Sequence, residues 1–176
     1  GGKGQLQGYV EAMMRFARKH DEVELQKLVE WQRNMKSKGA NKEKPIRPDV
    51  SFWFPPSDVT NAAFIQNAMA CELGNAHTQY YNMPEVEMAD KICGGHKQVT
   101  QTIRNIYDKA RAGALRATAE GVTGNPVLRV NMNISCTPGE ARNFFKRDLF
   151  NGTLGRVAFS YKARGNRDGH IPRQGE

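Results

Sequence analysis

The chain is predicted to be α/β, and three observations carry that class. From Leu128 to Cys136 the residues alternate strictly: Leu128, Val130, Met132, Ile134 and Cys136 are apolar or soft. Arg129, Asn131, Asn133 and Ser135 between them are polar. That period of two is the mark of a strand with one apolar face. Helical patterns separate several such short strand-like runs. The strand–helix–strand run 128–162 reads as a right-handed crossover between parallel strands.

The first helical pattern follows Gly1-Gly2-Lys3-Gly4-Gln5, with Leu6, Tyr9, Val10, Met13, Met14 and Ala17 at three-and-four spacing. Asp21 with Glu24 three residues on resembles a capping box, so a second helix is expected from there toward Met35. Lys36 to Pro48 is basic and rich in breakers, a surface loop. Val50–Phe54 reads as a strand stopped by Pro55-Pro56. Thr60 caps a helix running to about Leu73, where Gly74-Asn75 breaks it. His77–Met83 is the next strand, ending at Pro84; PEVEMADKICGG is a short helix or ordered loop. Gln98–Ala112 is helical, with Val99, Ile103, Ile106 and Ala110 on one stripe. Beyond the alternating strand, Pro138 opens a helix through Phe144, Phe145 and Leu149, and Asn151-Gly152 turns the chain. Val157, Phe159 and Tyr161 alternate with polar or small neighbours as a last strand. The expected division is one α/β domain over 1–163 and an extended or disordered basic tail over 164–176.

With 176 residues and 39% apolar composition, the chain is long enough for an ordinary core without staples. No run of about 18 apolar residues and no signal-like apolar core occurs, so neither a membrane span nor secretion is expected. Three widely spaced cysteines (Cys71, Cys93, Cys136) do not make a disulfide framework and suit a reducing, cytoplasmic setting. Cys93 and His96 form one tight pair, but a zinc site needs a second, so no metal site is assigned.

The formal net charge of +8 favours anionic partners. From Arg142 onward eight bases face three acids, and Arg164, Arg167 and Arg173 are the candidate contacts to nucleic acid; a merely solvated basic tail is the competing reading. Four other constellations bear on chemistry. Gly2-Lys3-Gly4-Gln5 opening a helix matches the second half of a phosphate-binding loop, where backbone N–H groups and a lysine hold phosphate. Gly4 stands where the Mg²⁺-binding hydroxyl belongs, and a plain flexible terminus is the alternative. Glu85, following a strand, suits an acid that activates water or holds Mg²⁺ indirectly, or else sits on an exposed first helical turn. Asn131, Asn133, Ser135 and Thr137 form a polar strand edge able to sense phosphate, or a solvated face. Arg156, after the turn Asn151-Gly152-Thr153-Leu154-Gly155, suits an arginine finger or charge sensor, or one more surface base.

The order of these elements, and the stretch NPVLRVNMNISCTPGEARNFFKRDLFNGTLGRVAFSYKARG, resembles a family of primase-helicase-like P-loop ATPases carried by bacterial mobile elements. The resemblance spans nearly the whole chain and is best from Asn125 to Arg164. It implies a RecA-like core, a mostly parallel sheet with flanking helices, here with the first, phosphate-loop strand missing, so that the chain is an internal fragment. It also implies ATP and Mg²⁺ as cofactors of the full-length parent, with hydrolysis coupled to single-stranded DNA. The phosphate contacts would be Gly2, Lys3, Gly4, Gln5 and Thr137, and the catalytic groups Glu85 and Arg156; homo-oligomerisation is a further implication. Gly4 and Pro84 depart from the family pattern. This fragment alone is therefore expected to be inactive, and the alternative function is a non-catalytic DNA-binding or scaffolding module of the same fold.

Overall fold

The computed structural model describes residues 3–37, 44–74, 77–94, 96–113, 124–146 and 152–160. Its elements run α1 (Lys3–Met13), α2 (Arg15–Ser37), α3 (Asn61–Leu73), β1 (Gln79–Met83), α4 (Glu87–Cys93), α5 (His96–Tyr107), β2 (Val130–Ile134) and α6 (Pro138–Phe145), then a 3₁₀ turn, Leu154–Arg156. Helices and strands are thus mixed, and β1 and β2 pair in parallel from Gln79↔Val130 to Met83↔Ile134. The connection between them carries α4 and α5, as a parallel pair requires.

The register explains the core. Gln79, Tyr81 and Met83 stand opposite Val130, Met132 and Ile134 on one face of the pair. That face meets Phe64, Ile65 and Ala68 of α3, Ala89, Ile92 and Cys93 of α4, Val99 of α5 and Phe144 of α6. The opposite face carries Tyr80, Asn82, Asn131 and Asn133, with Asn133 Nδ2 donating to Asn82 Oδ1 at 2.9 Å.

Local signals set several boundaries. Thr60 caps α3, accepting from the Ala63 N–H. Gly94, at φ 85, ends α4 in the left-handed region that glycine enters without a Cβ clash. Thr137 and Glu140 form a reciprocal capping box at α6, with Pro138 in its first turn.

Other expectations are corrected. Asp21 and Glu24 do not begin a helix. α2 already runs from Arg15, and hydrogen bonds from Met14 N to Val10 O and from Arg18 N to Met14 O carry it on from α1 with one residue between. Of the apolar stripe expected on the first helix, Tyr9 and Met13 are exposed, Val10 and Met14 half-buried and Ala17 buried. Val50–Phe54 is extended but forms no ladder strand, because its N–H groups are taken by side chains. α5 stops at Tyr107, and Lys109 adopts φ 51. Ala110–Ala112 then lies antiparallel to Pro126–Leu128, with Ala112 N donating to Pro126 O and Leu128 N to Ala110 O. Residues 157–160 form no strand, since no described strand lies beside them to pair with; the crossover expected over 128–162 is therefore not formed among the described residues. The parallel crossover lies earlier, from β1 to β2. No described helix is long and apolar enough to cross a membrane.

Candidate functional site

The carboxyl ends of β1 and β2 lie side by side. Ser135 N donates to Met83 O at 3.0 Å, so Pro84-Glu85 and Ser135–Thr137 leave the sheet from adjacent, paired positions. Glu85 and Thr137 are both exposed at this edge. In open parallel sheets ligands collect outside the carboxyl ends of the strands, where loops and helix starts meet. α6 begins here, and its first turn is bonded within itself: Thr137 N donates to Glu140 Oε2, Glu140 N to Thr137 Oγ1 and Ala141 N to Thr137 O, while Pro138 has no N–H. The Thr137 hydroxyl therefore already has a structural task.

Arg156 is not at the start of a strand. It ends the 3₁₀ turn, and its Nη2 meets the Asp108 carboxylate at 3.2 Å. Nη1 donates to the Gly152 carbonyl at 3.0 Å, and the guanidinium lies 5.5 Å from the Tyr107 ring centroid. Three neighbours from two segments thus hold it beside the end of α5. Gly152, at φ 78, makes the turn that returns its carbonyl to the arginine.

Lys3, Gly4 and Gln5 begin α1. Among the described residues, α1 is tied to α2, for example through Glu11 and Arg18 at 2.9 Å, and no described polar contact joins it to the strand ends. Gly2, and the basic residues Arg164, Arg167 and Arg173, lie outside the described residues. Among the described residues no cluster of histidine, cysteine, aspartate and glutamate makes a metal site. The Cys93 thiol is buried, and burial pushes its pKa up to about 12.

Sequence reasoning missed a polar cluster at the other edge of the sheet. Asp21 on α2 accepts from Trp53 N at 2.8 Å and Phe54 N at 2.7 Å, one bond to each carboxylate oxygen. Glu24, one turn on, accepts from Ser51 N at 3.1 Å and pairs with Lys27. Burial pushes the Glu24 carboxyl up, but Lys27 and the Ser51 N–H outweigh it and hold the group below its usual 4.5. Asn67 of α3 closes a two-bond ring with the backbone of Phe52, at 2.7 and 3.0 Å, and also donates to Gln79 Oε1. Tyr81 O–H donates to the same oxygen at 2.9 Å, and burial pushes that phenol up, so it stays protonated. Trp53 stacks on His20, ring centroids 4.0 Å apart, and meets the His77 ring at 4.4 Å, tilted by 40°. One signal was available in the sequence: polar Asn67 lies inside the mostly apolar run Ala62–Cys71. Asp21 and Glu24 carried no comparable signal, since an acidic pair at three-residue spacing fits a cap as well.

Comparison with protein-family models, with curated proteins and with solved structures finds no match. The functional reading therefore rests on the residues themselves.

Proposed function

We propose that this chain is the nucleotide-handling α/β core of a DNA replication or mobilisation protein, of RecA-like architecture, in which ATP hydrolysis is coupled to single-stranded DNA. The observation that carries the reading is the in-register junction of the carboxyl ends of β1 and β2, with Glu85 following one strand and Thr137 the other. In this reading Glu85 activates the attacking water, and Thr137, at the start of α6, stands in the phosphate-sensing position. Lys3 contributes charge from the start of α1. Mg-ATP would supply the phosphoryl group and its neutralising cation.

The test is DNA-stimulated ATP turnover by the full-length protein that carries this chain. Glu85→Gln is expected to lower turnover by about 10²-fold or more while Mg-ATP binding persists, the signature of a lost general base. Unchanged turnover sinks the assignment.

A second reading, a DNA-binding or scaffolding module without hydrolysis, is favoured by one observation: the Arg156 guanidinium is already occupied by Asp108, Gly152 and Tyr107. Fluorescence anisotropy with a labelled single strand separates the two. DNA binding that ignores ATP supports the module. In either reading, neutralising Arg164, Arg167 and Arg173 together is expected to flatten the log K against log salt slope by about 2.

A further inference from the structure

Beside β2 lies a groove of about 650 Å³. Its near wall is the outer edge of β2. Because Arg129 O accepts from Gln79 N and Ser135 N donates to Met83 O, the odd-numbered residues of β2 direct their backbone groups at β1. The backbone groups of Val130, Met132 and Ile134 therefore point the other way, into the groove, and β2 has no second strand neighbour among the described residues. One residue earlier the same edge is already paired, through Leu128 N and Ala110 O. Val130 is nevertheless only 6% exposed. An open strand edge presents a row of N–H and C=O groups that is a template for another strand.

We propose that this groove is an acceptor for one extended polypeptide segment, about five residues long, that adds to the Val130–Ile134 edge. The length follows from the five-residue β2. Val157 and Ala158 line the groove as well. Ile103, Ile106 and Phe145 make part of the lining apolar, so every second residue of the occupant is apolar. Arg129 and Lys109 also line the groove, and Arg129 Nη1 is buried without a hydrogen-bond partner among the described residues. An acidic residue flanking the strand complements them. The inference does not depend on the nucleotide reading.

The probe is a fluorescein-labelled heptapeptide of alternating valine and threonine flanked by glutamates, titrated into the whole chain. Saturable binding is expected. Amide exchange at Met132 and Ile134 should slow at least tenfold on binding, while Asn131 and Asn133, already bonded to β1, should not change. Met132→Pro removes an N–H only from the open edge, a place where strands tolerate proline, and should weaken binding at least tenfold. A probe N-methylated along one edge should lose binding without altering the protein, which covers the case of a Met132→Pro chain that fails to fold. Absence of binding, binding without protection of Met132 and Ile134, or full affinity of both the Met132→Pro chain and each N-methylated probe would overturn the proposal.

Discussion

Along the outer edge of β1, the extended segment 50–54 lies against the strand, with Tyr80 N donating to Trp53 O at 2.8 Å. Along the outer edge of β2, backbone groups open into a groove. Both edges belong to one two-stranded sheet, and an exposed edge invites pairing with other chains. β1 is covered by a segment that pairs with it once and is then held from behind. Its N–H groups at Ser51, Phe52, Trp53 and Phe54 go to Glu24, Asn67 and Asp21, side chains on α2 and α3. A ladder strand fixes its neighbour through repeated backbone bonds, and slips by two residues at modest cost. Side-chain acceptors at fixed helix positions admit one register only. The comparison teaches that an edge can be finished by helices reaching over it; among the described residues the β1 edge is finished in this way and the β2 edge is not.

The largest expected effect comes from breaking the closed edge. Asp21→Ala removes two charge-assisted bonds and leaves the Trp53 and Phe54 N–H groups without their acceptor. The expected loss is roughly 3–6 kcal/mol, at about 1.5–3 kcal/mol per bond to a charged group. Urea unfolding followed by circular dichroism measures it; a loss under about 1 kcal/mol would mean that water replaces the carboxylate freely.

Next in size, Asn67→Ala opens the same segment from the α3 side. Cys71 reports on it, since the buried thiol lies 3.6 Å from Phe52 O and burial pushes its pKa up to about 12. In the native chain Cys71 should resist iodoacetamide at pH 8, because the thiolate is the nucleophile. In Asn67→Ala it should alkylate at least tenfold faster. Equal rates in both chains would show that the segment opens without help.

A smaller effect is expected with pH. The folded-state pKa of Glu24 is depressed, so its stabilising contribution is present above the unfolded value near 4.5 and is lost as pH falls through the folded value. Glu24→Gln should therefore flatten the acid limb of the stability profile below about pH 4.5 and leave its slope above pH 6 unchanged. A flattened slope at neutral pH would assign the dependence to another group.

The smallest effect concerns the groove side. The Arg156–Asp108 pair is partly exposed, and Arg156→Ala should cost about 0.2–1 kcal/mol of stability. The same substitution tests whether Arg156 acts in catalysis. Unchanged ATP turnover in the full-length protein removes Arg156 from catalysis and leaves it as a brace between the 3₁₀ turn and the end of α5.

Much of the local structure was legible in the residues. Thr60 and Pro138 announced α3 and α6, because a cap and a first-turn proline act within a few positions of one helix. The alternation from Leu128 announced β2 because period two follows from backbone geometry alone. The candidate site was legible only as separate pieces: Glu85 and Thr137 each follow a strand, but their adjacency depends on the parallel pairing of strands separated by α4 and α5. Arg156 was misplaced on a strand, because alternation over Val157–Tyr161 describes what a segment suits and not whether a neighbour is there to pair with it.

What the sequence determined by itself, then, is what short-range physics controls: helical stripes, caps, breakers, the strand period and the charge excess. The tertiary structure alone decided the task of Asp21 and Glu24. Both are acceptors of backbone N–H groups, as the capping pattern suggested, but the donors lie 27 to 33 residues away. Backbone donors carry no sequence signature, so no pattern of residue types marks which segment a buried carboxylate will hold. The contrast between the two edges of the sheet arises in the same way: Val50–Phe54 and Val157–Tyr161 look alike as strand formers. The first reaches a position where α2 and α3 supply acceptors for it.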